Sequence, residues 1–359
     1  MPDFTSATYL GLRHARDDLR PWTRLTTGVP AALREPPLSR SVAGSLADLV
    51  GLSSGSLATS TLHAAVGLFG ALDPAGSEIL VDAGSYPIAR WGVELARGQG
   101  AIVSTIPHQN PDAVLARLRG RRGRAARRRP IVLVDGFCPS CGRAAPIAEH
   151  LAAALEHDGL VVIEDTQALG VLGVPVPGNP LGTGGGGVLS WTGTPPAGAV
   201  VMASLAKGFG VPVAVVAGSR PVVRAYQRLG ATRVHCSPPS AAHLAAVAHA
   251  LALNADEGDA RRARLSALVL ALRRGLRAAG ADLAPGSFPV QTIRRARGLA
   301  PADLHRRLEA DGVRAVLHTT CDGRTPAVSL IVRATHREAE IDAAVEAVRR
   351  AMATSRRSA

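Results

Sequence analysis

The stretch Met202-Ala-Ser-Leu-Ala-Lys207-Gly-Phe-Gly210 holds the only lysine among 359 residues. Lysine and arginine together number 41, so the other 40 cationic side chains are arginine. A chain that writes arginine wherever a positive charge suffices keeps lysine where a guanidinium fails. Arginine stays protonated and is no nucleophile, whereas a desolvated lysine amine loses its proton and condenses with a carbonyl. The apolar run Ala199 to Ala203 leads into this lysine and small residues follow it. That is the pattern of a buried strand ending at a site, and Lys207 reads as a Schiff-base lysine.

Outward from this stretch, apolar strands alternate with amphipathic helices. The pattern predicts strand Glu78–Asp82, helix Pro87–Gly98, strand Ala101–Ile106, helix Pro111–Gly120, strand Pro130–Asp135, helix Ile147–His157 and strand Leu160–Glu164. Strands Val188–Trp191, Val200–Ser204 and Val213–Ala217 continue the sheet around the lysine. Such alternation predicts an α/β fold with a mostly parallel sheet covered by helices on both faces. Ligands then gather at the carboxyl ends of the strands. Asp82 with Tyr86, Asp135, and the pair Glu164-Asp165 with Gln167 fall at those ends. Upstream, Ser53-Ser-Gly-Ser56 reads as a small-residue turn opening a helix over Leu57–Leu72, whose free N–H groups suit a phosphate. Thr183 to Gly187 reads as a flexible glycine loop, without the lysine and hydroxyl of a nucleotide-binding loop.

Four segments follow: an extended arm over 1–40, a large cofactor-binding domain over 41–240, a linking helix over 241–280 and a small C-terminal αβ domain over 281–359. The last reads as strand Pro289–Arg294, helix Ala302–Asp311, strands Arg314–His318 and Ala327–Ala334, and helix Glu338–Met352.

Hydrophobic residues make up 47% of the chain but aromatics only 3%, so aliphatic side chains must fill the core. The net charge of +13 admits an anionic substrate or nucleic acid. Its densest stretch, Arg119 to Arg129, lacks the aromatics that stack bases and reads as a solvated loop. A nucleic-acid or anion binder on an enzyme scaffold is therefore the weaker reading, and no specific nucleic acid is expected. Cys138-Pro-Ser-Cys141 looks like a redox pair or half a zinc site, but no second CxxC or CxxH completes it, so no metal is expected. No signal peptide and no membrane-length apolar run is evident, which predicts a soluble, cytoplasmic protein.

Five pieces resemble, in order, the pyridoxal-phosphate enzymes of the aspartate aminotransferase fold, and most closely the α-oxoamine synthases, which join an amino acid to an acyl thioester with loss of CO2. They are Tyr9-Leu-Gly-Leu12, Ser53-Ser-Gly55, Ile163 to Gly173, Ser204-Leu-Ala-Lys207-Gly-Phe-Gly210, and Ala334 to Asp342. The resemblance implies pyridoxal 5'-phosphate held covalently on Lys207. It places the phosphate on Ser54, Gly55, Ser56 and Ser204, and a carboxylate at the pyridine nitrogen. The family's aspartate falls on Glu164, with Asp165 beside it; adjacent strand residues face opposite ways, so only one of the two reaches the ring. Tyr86 stands where the family stacks a histidine, and Gln167 where its histidine contacts the ring oxygen. The arginine that grips the substrate carboxylate falls on Ser329, leaving Arg333 or Arg324 to substitute. Ser237, in Cys236-Ser-Pro-Pro239, falls in a loop that reaches a partner's phosphate, which implies a homodimer with shared sites. Acyl transfer to an amino-acid-like amine and amino transfer to a keto acid both stay open.

Overall fold

The computed structural model describes residues 1–123, 125–296 and 298–354. Seven strands form the central sheet in the order Ser54–Ala58, Ala214–Gly218, Ala199–Ser204, Leu160–Glu164, Arg129–Asp135, Ser77–Asp82 and Ile102–Ile106. The last five run parallel, and Ala214–Gly218 lies antiparallel to both of its neighbours. The central strands are buried on both faces, and the edge strand Ile102–Ile106 is only partly covered. Alternate residues supply two cores, Leu80, Val132, Val134, Val161, Ile163 and Val201 on one side, and Ile79, Leu133, Val162, Val200 and Met202 on the other. Helices Thr61–Ala71 and Pro87–Gly98 cover the second face, and Leu38–Leu49, Ile147–Leu155 and the pair Ala241–Asp256 and Gly258–Ala278 cover the first.

A second sheet, antiparallel and four-stranded, has the order Asp282–Leu283, Val290–Arg295, Pro326–Ile331 and Val316–Thr319. Helices Pro301–Ala310 and Glu338–Thr354 accompany it. The N-terminal arm inserts between the last two of these chain segments, with Phe4 N–H donating to the Arg314 carbonyl at 3.0 Å and Ile331 N–H to the Phe4 carbonyl at 2.9 Å. Of the segment expected to end the chain, residues 297 and 355–359 lie outside the described residues, as does Arg124 of the arginine stretch. Among the described residues, no helix is long and apolar enough to cross a membrane.

Three elements differ from expectation. Ser54–Ala58 is an edge strand paired to Ala214–Gly218, and the helix begins only at Thr61, where the Ser60 hydroxyl accepts the His63 N–H at 3.3 Å. Val188–Trp191 is not a strand but lies in the short helix Gly187–Thr192. The predicted helix over Ser240–Ala279 is two, broken at Glu257. The glycine turn is clamped: Asp259 Oδ1 accepts the Gly184 N–H at 2.8 Å, Asn254 Nδ2 donates to the Gly184 carbonyl at 3.0 Å, and the fully buried Arg262 donates to the Gly170 carbonyl at 2.9 Å.

The arginine stretch is more structural than its composition suggests. Arg121 and Arg117 both reach the fully buried Glu78, at 3.8 and 2.9 Å. Arg128 donates to the carbonyls of Ser77 and Gly100, and Arg129 to that of Asp158. These guanidinium groups cap backbone at the amino ends of strands, opposite the end where ligands collect.

Candidate active site

Register decides which side chains meet. Asp135 pairs with Glu164, and Glu164 with Met202, so the three stand abreast at the carboxyl end of the sheet with side chains on one face. Ser204 is two residues beyond Met202 on the same face. The turn after it is tight: Leu205 N–H donates to the Val213 carbonyl at 2.8 Å, and Gly208 lies so close to the Leu169 carbonyl that a Cβ there would sit 2.3 Å from its oxygen. This close approach needs glycine, and it fixes Lys207 over the strand ends. The result is a cavity of about 210 Å3 lined by Thr61, Tyr86, Ile88, Ala89, Asp135, Glu164, Thr166, Gln167, Met202, Ser204, Ala206 and Lys207. A larger cavity, about 550 Å3, lies between the arm and the start of helix Ala241–Asp256; it contains no lysine, and its one carboxylate is Glu35.

Burial dominates the electrostatics. It pulls the Lys207 amine below its ordinary range, with Glu164 and Asp135 pulling the other way. A lowered value means more neutral amine at a given pH, the form that attacks a carbonyl. Burial raises the Glu164 carboxyl, while the Thr166 hydroxyl, which donates to Glu164 Oε1, and the Lys207 charge act to lower it. Asp135 is raised well above the usual carboxylate range by burial and then by Glu164, and its Oδ1 accepts the Tyr86 N–H at 3.1 Å. Two buried carboxyls and one amine thus share a small space, which favours a cationic guest.

The pair Glu164-Asp165 separates as strand alternation requires. Glu164, 6% exposed, lines the cavity; Asp165, 1% exposed, faces the opposite core, where its Oδ2 accepts the Val188 N–H at 3.0 Å and its Oδ1 has no hydrogen-bond partner. Asp165 does not line the cavity. Tyr86, the residue before helix Pro87–Gly98, is 57% exposed at the cavity mouth. Gln167 accepts from the Tyr9 hydroxyl through Oε1 at 2.5 Å, which leaves its amide N–H groups to donate. Ser204 accepts the Ala206 N–H through its hydroxyl at 3.2 Å and donates its own N–H to Thr166 Oγ1 at 2.8 Å.

Other expected residues sit elsewhere. Ser54, Gly55 and Ser56 offer no helix N-terminus because they are paired strand residues; a Cβ on Gly55 would lie 2.3 Å from the Ala43 carbonyl oxygen, so that position serves helix packing. The free helix start beside the lysine is at Thr61, which lines the cavity with Ser204. Thr61, Thr166 and Tyr9 were missed; the signal for the first was Thr59-Ser-Thr61, a run of hydroxyls that reads as an N-cap. Arg333 lies beyond the end of strand Pro326–Ile331, not within it as the expected strand Ala327–Ala334 implied; its guanidinium donates to the Asp3 carbonyl at 3.1 Å. Arg324 is exposed in the turn before that strand, its N–H on Asp322 Oδ1 at 2.8 Å. Neither lines the cavity. Ser237 is exposed, next to a shallow pocket that it lines with Thr59 and His63. Arg333→Ala is accordingly expected to leave the KM for an amino substrate within about threefold, since the guanidinium makes no cavity contact. Freeing the arm should cost about 1 kcal/mol of stability, read as a lower Tm; a large rise in KM would restore Arg333 to the substrate.

A cofactor aldehyde with a phosphate and a basic ring nitrogen fits this donor set. Lys207 would take the aldehyde, Glu164 the nitrogen, Gln167 a ring oxygen, and the Thr61 helix start with the Ser204 hydroxyl the phosphate. The expected absence of metal meets a different finding: His108, Cys138, Cys141 and Cys321 bring one ligand atom each to within 4.8 Å of one another.

Comparison with known proteins gives three kinds of likeness. The family model for aminotransferase class I and II matches residues 47–348. An 8-amino-7-oxononanoate synthase from Cupriavidus taiwanensis is 29% identical over 291 residues, covering 79% of this chain and 68% of that protein. Among solved structures, a serine palmitoyltransferase from Sphingomonas wittichii superposes with a TM-score of 0.85 at 17% identity, covering 98% of this chain and 87% of that one. The 8-amino-7-oxononanoate synthase of Francisella tularensis does so with a TM-score of 0.75 at 15% identity, covering 98% of both chains. The solved structures are alike in fold.

Proposed function

This chain belongs to the aminotransferase class I and II family, and on that premise we propose that it is a pyridoxal-phosphate-dependent acyltransferase of the α-oxoamine synthase type. It takes an amino-acid-like amine and an acyl thioester and forms a carbon–carbon bond at the amine-bearing carbon. The observation that carries this reading is the sole lysine sharing one small cavity with the buried carboxylate Glu164. The relatives' names support it, since one makes an amino-oxo acid and another palmitoylates serine.

Bound in this cavity, pyridoxal phosphate supplies an electron sink for the electron pair left on the substrate's α carbon. The chain's own groups do the rest. Lys207 would hold the cofactor aldehyde through Nζ, and its amine, lowered by burial, is placed to move a proton at the substrate's α carbon. Glu164 would hold the pyridine nitrogen and keep its proton in place. The Gln167 amide, oriented by Tyr9, would donate to a ring oxygen, and Tyr86, at the cavity mouth, would shield the ring. Tyrosine stacks as well as histidine but is a weaker acid near neutrality, so Tyr86 orients and excludes water. Among the described residues no arginine lines the cavity, which supports an amine substrate divergent from the family's usual amino acid, in specialised metabolism.

The test is incubation of the holoenzyme with amino acids and either acyl-CoA thioesters or keto acids. Release of CO2 and free CoA is the expected result; a new amino acid formed from the keto acid, without CoA, would make it an aminotransferase.

A pH dependence follows from Lys207. Because burial depresses the amine, the rate of reconstitution of the apoprotein with pyridoxal phosphate rises with pH and levels off below the ordinary lysine value of 10.5. A rate still climbing at that pH contradicts a desolvated amine. The active unit is a homodimer in which Ser237 of one chain approaches the partner's phosphate, supported by the exposure of both Ser237 and Tyr86. Light scattering should give twice the mass of the chain, and a fully active monomer would oppose it. The four free thiols suit a reducing cytoplasm.

A further inference from the structure

We propose that Cys138, Cys141, Cys321 and His108 bind one structural zinc ion that staples the C-terminal sheet to the central sheet beside the active site. All four ligand atoms lie within 4.8 Å of one another. A tetrahedron with metal–sulfur bonds of about 2.3 Å and a metal–nitrogen bond of about 2.0 Å has edges of roughly 3.5 to 3.8 Å. The distance from Cys141 Sγ to His108 Nε2 is 3.6 Å.

The backbone is shaped for it. Cys138-Pro-Ser-Cys141-Gly142 turns back on itself in a short hairpin, Phe137–Cys138 against Arg143–Ala144, and the Cys141 N–H points at Cys138 Sγ from 3.5 Å. Gly142 has φ +71°, and a Cβ there would lie 2.1 Å from the Pro285 carbonyl oxygen. His108 is held from behind: its Nδ1 bonds Asp82 Oδ1 at 2.6 Å, which fixes the tautomer and leaves Nε2 toward the sulfurs, as ligating histidines require. Asp82 is itself held by the N–H groups of Gly84 and Gln109, both at 2.6 Å. Cys321 arrives from the C-terminal sheet, its N–H donating to Ser140 Oγ at 3.1 Å.

Three soft thiolates and one imidazole select zinc over the hard cations, and a set with four protein ligands leaves no position for a substrate. The role is therefore structural. Cys138 lies three residues past Asp135, whose carboxylate holds the Tyr86 N–H, and Asp82 ends the neighbouring strand. The metal would fix both connections that carry cavity residues, independently of any role for Lys207.

The experiment is metal analysis of the full-length protein after dialysis against metal-free buffer, with the cobalt(II)-exchanged protein examined by absorption spectroscopy. About one zinc per chain is expected, with sulfur-to-cobalt charge transfer and intense tetrahedral bands after exchange. Cys138→Ser and Cys321→Ser should lose most of the zinc, and Cys236→Ser should keep it. If the cysteine variants do not fold, the cobalt spectrum of the unaltered chain decides. Zinc below about a tenth of an equivalent in the folded protein, or a Cys138–Cys141 disulfide in its peptide map, overturns the proposal.

Discussion

Lys207→Ala protein is colourless after saturation with pyridoxal phosphate, and its turnover falls by on the order of 10³-fold or more, because no other side chain in the chain is a primary amine. Arginine at the same place should fare no better: it restores the charge beside Glu164 but cannot condense. The two variants together separate charge from nucleophilicity. Lysine 207 sits on a turn set by Gly208 and Phe209, so the alanine variant should keep the thermal stability of the apoprotein to within a few degrees. An unfolded Lys207→Ala chain would leave the comparison to Lys207→Arg.

The second large effect is at Glu164. Glu164→Gln keeps the size and the Thr166 hydrogen bond but removes the negative charge, so the pyridine nitrogen loses its proton and the electron sink weakens. Turnover should fall by about 10²- to 10³-fold while the cofactor still binds and absorbs. Glu164→Asp, the residue the resembled family carries there, should recover most of the rate. Asp165→Asn should act differently. It places an amide where Asp165 Oδ1 is buried without a partner, which costs about 1–3 kcal/mol of stability and leaves the absorbance unchanged. Equal catalytic losses from Glu164→Gln and Asp165→Asn would contradict the assignment of the cavity carboxylate by strand alternation.

Much of this was legible because two signals are strong in any sequence. Continuous apolar runs of five to seven residues between amphipathic helices predicted the parallel strands within a residue or two, and a single lysine among arginines pointed to a residue that the fold places in the cavity at the strand ends. The failures have physical causes. The apolar end of Ser54–Ala58 and the apolar helix after it are divided only by the hydroxyl run Thr59-Ser-Thr61 with its Ser60 cap; read as a single helix, they put the free N–H groups near Gly55 rather than at Thr61. Val188–Trp191 is four residues long, too short for periodicity to separate helix from strand. The expected strand Ala327–Ala334 included Arg333, but the strand ends at Ile331. Only the Cys138/Cys141 half of the thiol cluster shows in spacing: His108 lies 33 residues before Cys141, and Cys321 lies 181 residues after Ser140. Metal-ligand spacing is visible only when ligands share a turn, and here the fold supplies the other half.

The central claim, that Lys207 carries the cofactor, has a direct test that the composition of the chain makes unusually clean. Borohydride reduction of the coloured protein followed by peptide mass spectrometry can label only Lys207 or the α-amino terminus, since there is no other amine. The account predicts a phosphopyridoxyl group on the peptide containing Lys207, in about one copy per chain. A label confined to the terminus, or none on a chain that remains active, would contradict it.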